Sequence, residues 1–271
     1  MNLINNKYIL QEKIGSGSFG SIYKSINTRT KEIVAVKVEP IKNGTKMLKN
    51  ESIIYQYLGS KQGIPHIKWF GKDDRNYYMV INLLGKSLEQ LKSEKNRFSL
   101  KLTLQIGIQI IFLLKTIHEK GLIHRDIKPE NFLLGLNSLQ KQIYIIDFGF
   151  CKSYLNNDVH IKFGKINSLI GSYNYASLNS HKHFELSRRD DMESLGYMLL
   201  YFFIGELDWS NPDNSISNIE IVNLKESVAT NNKYPIVLLN YMKYIRSLEF
   251  EETPNYSIII DSFNREINLL V

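Results

Sequence analysis

The period of the apolar positions changes partway along the chain. Up to about residue 84, apolar side chains alternate with polar ones or gather in short β-branched and aromatic runs. That pattern predicts strands. Residues 8–40 read as strands, most clearly Glu32-Ile33-Val34-Ala35-Val36-Lys37-Val38. Residues 46–58 interrupt them with helical spacing, which ends near Gly59. Gly63-Ile64-Pro65 reads as a turn, and residues 69–71 and 77–82 as two strands around a polar turn at 72–76. After Gly85 helical spacing takes over. Helices are predicted over 87–95, 100–120, 190–203, 219–229 and 236–248, with Gly121 closing the second of these. Two short strands, 133–134 and 143–146, lie between the second and third helices, and the tail after about 265 is short. The reading is therefore α+β, with a strand-rich part followed by a helix-rich part. No stretch of 18 consecutive apolar residues occurs, so no membrane span is predicted.

Composition narrows the picture. A chain of 271 residues fits two lobes that share one cleft. With 43% hydrophobic and 23% charged residues, global disorder is excluded. The net charge of +7 favours acidic partners: phosphates, acidic peptides or nucleic acid. No aromatic-basic RNA motif or zinc pattern accompanies it, so no specific nucleic acid is expected. The single cysteine, Cys151, excludes an internal disulfide framework and fits a reducing compartment. Residues 1–7 have neither an apolar core nor a small-residue cleavage site. The expected location is intracellular, in cytoplasm, nucleus or both, and a monomer is expected.

Candidate chemistry gathers in four places. His124-Arg125-Asp126-Ile127-Lys128-Pro129-Glu130-Asn131 puts an acid, a cation and an amide on one loop between apolar runs. Asp126 can accept or orient a hydroxyl proton, Asn131 can hold a metal ion, and Lys128 can meet a phosphoryl group. A charged surface loop is the bland alternative. Gly15-Ser16-Gly17-Ser18-Phe19-Gly20-Ser21 frees backbone N–H groups to approach phosphate, although an ordinary hairpin turn fits at least as well. A strand follows it, which excludes a dinucleotide fingerprint. Lys37 ends a Val-rich strand, and Glu51 lies in the next helix. A Lys held by a Glu can point its ammonium at nucleotide phosphates. Asp147-Phe148-Gly149 directly follows an apolar strand, where Asp147 can ligate Mg²⁺.

In this order and spacing, the four motifs resemble those of eukaryotic protein kinases. The chain is most similar to the casein kinase I family in three stretches: residues 187–197 (Ser187-Arg188-Arg189-Asp190-Asp191 onward), Gly171-Ser172-Tyr173-Asn174-Tyr175-Ala176-Ser177, and Leu83-Leu84-Gly85-Lys86-Ser87-Leu88-Glu89. The resemblance implies one bilobal kinase domain over 1–271. A small β-rich N-lobe with one main helix would span about 8–84, and a larger α-rich C-lobe about 85–265. It implies ATP and Mg²⁺ as cofactors, and transfer to Ser or Thr of protein substrates, acidic ones favoured. Ile14, Ile22 and Ala35 would cover the adenine on one side and Leu133 on the other, against simple core packing as the alternative. Ile81 would be the gatekeeper, followed by a hinge that ends at Leu84. Asp191 would brace the catalytic loop, and Arg188 would contribute to a substrate anion site. Lys152, His160, Lys162 and Lys165 could guide an acidic substrate or simply be solvated. One departure stands out. Where the family carries a Lys/Arg-rich segment, this chain has Gly205-Glu206-Leu207-Asp208 and no basic residue until Lys225. The competing functional class is a pseudokinase scaffold that binds nucleotide without transfer.

Overall fold

The computed structural model describes residues 3–17, 20–41, 47–210 and 216–270. In chain order the elements are β1 (Tyr8–Gly17), β2 (Gly20–Asn27), β3 (Ile33–Pro40), α1 (Met47–Leu58), β4 (Ile67–Lys72), β5 (Asn76–Asn82), α2 (Leu88–Lys95), α3 (Leu100–His118) and β6 (Leu122–Ile123). Then come β7 (Phe132–Leu134), β8 (Ile143–Ile145), β9 (Lys152–Ser153), β10 (Leu155–Asn156) and β11 (Val159–His160). The remainder is helical: α4 (Leu178–His181), α5 (Arg188–Ile204), α6 (Asn218–Ser227), α7 (Ile236–Ser247) and α8 (Tyr256–Leu269). Two compact units result. One holds residues up to Lys86 together with Leu133–Gly149, and the other holds Ser87–Phe132 and the chain from Phe150 onward.

The first unit is an antiparallel sheet in the order β1-β2-β3-β5-β4. Alternation along β3 sets its two faces. Val34 and Val36 enter a core with Tyr8, Tyr78 and Val80, and Val38 packs against it. Ala35, Lys37 and Glu39 alternate with them. The buried Glu39 carboxylate accepts the Leu48 backbone N–H at 2.6 Å, which satisfies a donor in the first turn of α1. The strands β7 and β8 group with this unit and not with the helices. Gly85 N–H donates to the Leu134 carbonyl at 2.8 Å, Leu134 N–H to Lys86 at 3.0 Å, and Ile145 N–H to Gly63 at 2.9 Å. Periodicity carries no trace of such long-range pairing.

The second unit is built on α3, which packs against α5 and α8. Helix starts follow local rules. The Ser99 hydroxyl accepts from Leu102 N–H, and Ser87/Gln90 and Ser217/Glu220 form capping boxes. By length and composition α3 could cross a membrane, but half of its apolar window is buried inside the protein. Its buried stripe, including Leu104, Ile110, Ile111, Leu114 and Ile117, makes it a core helix. Helix α8, absent from the sequence prediction, buries Tyr256, Ile259 and Phe263 at helical spacing. The Asn255 side chain caps it by accepting Ile258 N–H at 3.2 Å.

Candidate functional site

In the first unit three elements bring Lys37, Glu51 and Asp147 together. Lys37 Nζ lies 2.6 Å from Glu51 Oε2 and 3.1 Å from Asp147 Oδ1. Burial alone would lower the Lys37 pKa, but Glu51 and Asp147 together push it up, so the ammonium stays charged. The Glu51 carboxyl is pushed up by burial and by the Asp147 charge, and held down by Lys37. Glu51 is almost completely buried, whereas the Asp147 side chain is 32% exposed. Tyr55, one turn beyond Glu51, accepts the Asp147 N–H at 3.4 Å and meets the Phe148 ring edge-on at 4.8 Å. Asp147 itself has φ +66°, a left-handed conformation that is costly for a residue with a side chain. The expected Lys–Glu pair is therefore present, and Asp147 is its third member.

Those of the expected nucleotide-side residues that are described fall on this unit. Ile14, Gly15, Ser16 and Gly17 are in β1, and Gly20, Ser21 and Ile22 in β2. Ser18 and Phe19 lie outside the described residues. Gly20 is required sterically, since a Cβ there would sit 2.0 Å from the Val38 carbonyl oxygen. Across the sheet Ile22 is in register with Lys37, and Ala35 with Ile81. Leu84 and Leu133 lie where the chain after β5 pairs with β7.

In the second unit the centre is Asp126, only 3% exposed. Its Oδ1 accepts the Ser172 hydroxyl at 2.8 Å, and its Oδ2 meets Lys128 Nζ at 2.7 Å. Lys128 Nζ also reaches Ser172 Oγ at 3.2 Å. Asn131 Nδ2 donates to the Asp126 carbonyl at 2.8 Å, which fixes the orientation of the amide. The loop is held from below by Asp191, near the start of α5. One Asp191 oxygen accepts His124 N–H at 2.7 Å, and the other accepts Arg125 N–H at 2.8 Å. His118 Nε2 lies 3.0 Å from the first of these oxygens, while its Nδ1 lies 2.7 Å from the Tyr256 hydroxyl. Burial favours the neutral form of Asp191, but His118 and His124 outweigh it and pull the pKa below the usual carboxylate value. Arg125 has φ +69°. Gly171 comes so close that a Cβ would lie 2.7 Å from the Arg125 carbonyl oxygen, and its own φ is +94°.

Three of these participants carry no signal of their role in the sequence. Ser172 lies 46 residues from the acid it touches, so no local pattern announces it. The same holds for His118. The third, Lys225, is completely buried beneath residues 173–176. Its Nζ lies 2.9 Å from the Tyr173 carbonyl, 2.7 Å from the Ala176 carbonyl and 2.9 Å from His181 Nε2. Arg188, expected at an anion site, has Nη1 3.2 Å from the Tyr154 hydroxyl and Nη2 on the Glu251 carbonyl, with its guanidinium 4.5 Å from the Tyr154 ring centre. Of the other candidate cations, Lys152 pairs with Glu185 at 2.8 Å, and Lys165 stands 3.7 Å over the Phe184 ring.

Asp147 in the first unit offers carboxylate oxygen, and Asn131 in the second an amide oxygen; each is by itself the kind of hard oxygen donor that Mg²⁺ takes. No larger His/Cys/Asp/Glu metal cluster occurs among the described residues. Compared with protein families, the chain matches the model of the protein kinase domain over residues 8–255.

Proposed function

This chain belongs to the protein kinase domain family, and from that premise we propose a serine/threonine kinase of casein kinase I type. The supporting observation is the Asp126–Lys128–Ser172 cluster. A buried carboxylate held by a hydroxyl and an ammonium is oriented to accept the proton of an incoming alcohol. The Lys128 charge beside that carboxylate would stabilise the negative charge of a phosphoryl group in transfer. Lys37, kept charged by Glu51 and Asp147, is the group for the nucleotide phosphates. Asn131 and Asp147 would each offer an oxygen to the metal. MgATP, when bound, supplies the γ-phosphoryl group and the metal charge that neutralises it. Retention of Lys37, Asp126, Asn131 and Asp147 argues against a pseudokinase scaffold. The single thiol suits a reducing compartment, cytoplasm or nucleus.

The test is transfer of labelled γ-phosphate from MgATP to a protein substrate, followed by phosphoamino-acid analysis. Label on serine and threonine, lost with Asp126→Asn, is expected. Label on tyrosine would reject the Ser/Thr assignment, and transfer that survives Asp126→Asn would reject the assigned acid. An acidic substrate preference, which the casein kinase I resemblance implies, would have to rest on cations such as Arg188 and Lys152, whose side chains already have partners.

A further inference from the structure

The positive charge of the chain is carried by one unit. The first unit holds 15 Lys and Arg against 7 Asp and Glu, a net +8, and the second holds 19 against 20, a net −1. The first unit also carries a pocket of about 350 Å³. Its walls are the loop between α1 and β4, the chain that follows β5, and the turn that joins β7 to β8. No Asp or Glu lines it, whereas Lys61 and His66 do. An anion entering this pocket meets attraction from the unit as a whole and no carboxylate on the walls.

The walls are fixed by their own backbone. Gly63, at φ +76°, closes a turn in which Ile64 N–H donates to the Lys61 carbonyl at 3.1 Å. The Gly63 carbonyl accepts Ile145 N–H at 2.9 Å, and Asn82 Oδ1 accepts His66 N–H at 2.9 Å. In the β7–β8 turn Gly135 N–H donates to the Gln142 carbonyl at 2.9 Å, and Gln142 N–H to the Leu139 carbonyl at 2.8 Å. The side chains are not committed in the same way. Among the described residues Lys61 pairs with no carboxylate, and the side-chain amides of Gln62 and Gln142 make no hydrogen bond. These donors can meet a carboxylate without breaking an existing bond, and a preformed wall lowers the ordering cost of binding. Leu136 and Leu139, 41% and 47% exposed, add an apolar edge to the same pocket.

We propose that this pocket docks an acidic segment of a protein partner. A Glu or Asp carboxylate of that segment sits on Lys61 and the two amides, and a neighbouring aliphatic side chain covers Leu136 and Leu139. The charge of the unit draws the segment in, the donors hold its carboxylate, and the leucines distinguish it from a simple anion. The site lies outside the Asp126 loop and goes beyond the kinase reading above.

The test is fluorescence anisotropy of a labelled glutamate-rich peptide carrying two leucines, titrated with the full chain. Glutamine in place of its glutamates, or serine in place of its leucines, is expected to weaken binding about tenfold. Lys61→Glu should weaken it about tenfold as well, and so should Gln142→Glu, a second variant on a different wall. Lys72→Glu makes the same change in net charge as Lys61→Glu at the far end of β4. That position lies about 16 Å from Ile67 along the strand, beyond the roughly 8 Å screening length at physiological salt, so affinity should hold within about twofold. Equal weakening by Lys72→Glu would reduce the site to a diffuse cationic field and overturn the proposal. Displacement of the peptide by inorganic phosphate, or by a single-stranded RNA that binds more tightly, would assign the pocket to another anion and overturn it too. The readout needs no phosphate transfer. Peptide binding lost with Lys61→Glu in a chain that transfers no phosphate would sink the kinase reading and leave the pocket standing.

Discussion

Replacing Asp191 with asparagine tests how the loop around Asp126 is held. Asp191 gives one oxygen to His124 N–H and His118, and the other to Arg125 N–H, all inside the protein. An asparagine of the same shape keeps only one acceptor. Whichever way the amide turns, an NH₂ group faces a backbone N–H. One buried donor is therefore orphaned, at about 1–3 kcal/mol, and the remaining bonds lose their charge assistance at about 1 kcal/mol more. A total of roughly 3 kcal/mol is expected, a large share of a stability of about 5–15 kcal/mol. Arg125, at φ +69°, is the residue that must relax when the support goes. A displacement of Asp126 by about 1 Å would lower kcat on the order of a hundredfold. Urea titration followed by tryptophan fluorescence measures the first effect, because Trp209 is buried in this unit, and steady-state transfer measures the second. The pH dependence supplies a further check. The Asp191 pKa is depressed in the folded protein, so its contribution is present above the unfolded value of about 3.9 and fades as pH falls through the folded value. Asp191→Asn should flatten that acid limb. A variant within 0.5 kcal/mol of wild type (about the scatter of an ordinary surface substitution), with unchanged kcat, would refute the bracing role.

Three further outcomes are expected. Lys37→Met should abolish measurable transfer and leave Glu51 buried without its cation. Glu51, already pushed up by burial, should then take up a proton, so the variant should lose more stability at pH 8 than at pH 5.5, measurable by thermal denaturation across pH. Lys225→Met should cost roughly 2–5 kcal/mol, because the Tyr173 and Ala176 carbonyls lose their shared partner; it should also lower kcat through Ser172, both read from denaturant midpoints and kinetics. The Cys151 thiol, pushed up to about 12 by burial first and by Asp191 next, should react with iodoacetamide at pH 7 far more slowly than a free cysteine, as mass spectrometry would show.

The elements themselves were largely legible in the sequence. Strand and helix periods, the serine caps and the terminal glycines depend on contiguous residues, and those are what a sequence displays. So were the individual candidates Lys37, Glu51, Asp126, Asn131 and Asp147, since each sits in a short motif. Helix α8 shows a stripe too, in Tyr256, Ile259 and Phe263, but three positions are too few to predict a helix by themselves. Partnership was decided by tertiary structure alone. Lys37 meets Asp147 across 110 residues, Asp126 meets Ser172 across 46, and Lys225 reaches Ala176 across 49. Chain closure and packing choose those pairs, and neither leaves a local pattern. The same holds for the distribution of charge. The sum of charges along the chain is positive, but Glu89, Glu130 and Glu206 line one pocket. A binding field depends on which charges the fold gathers and how little solvent lies between them.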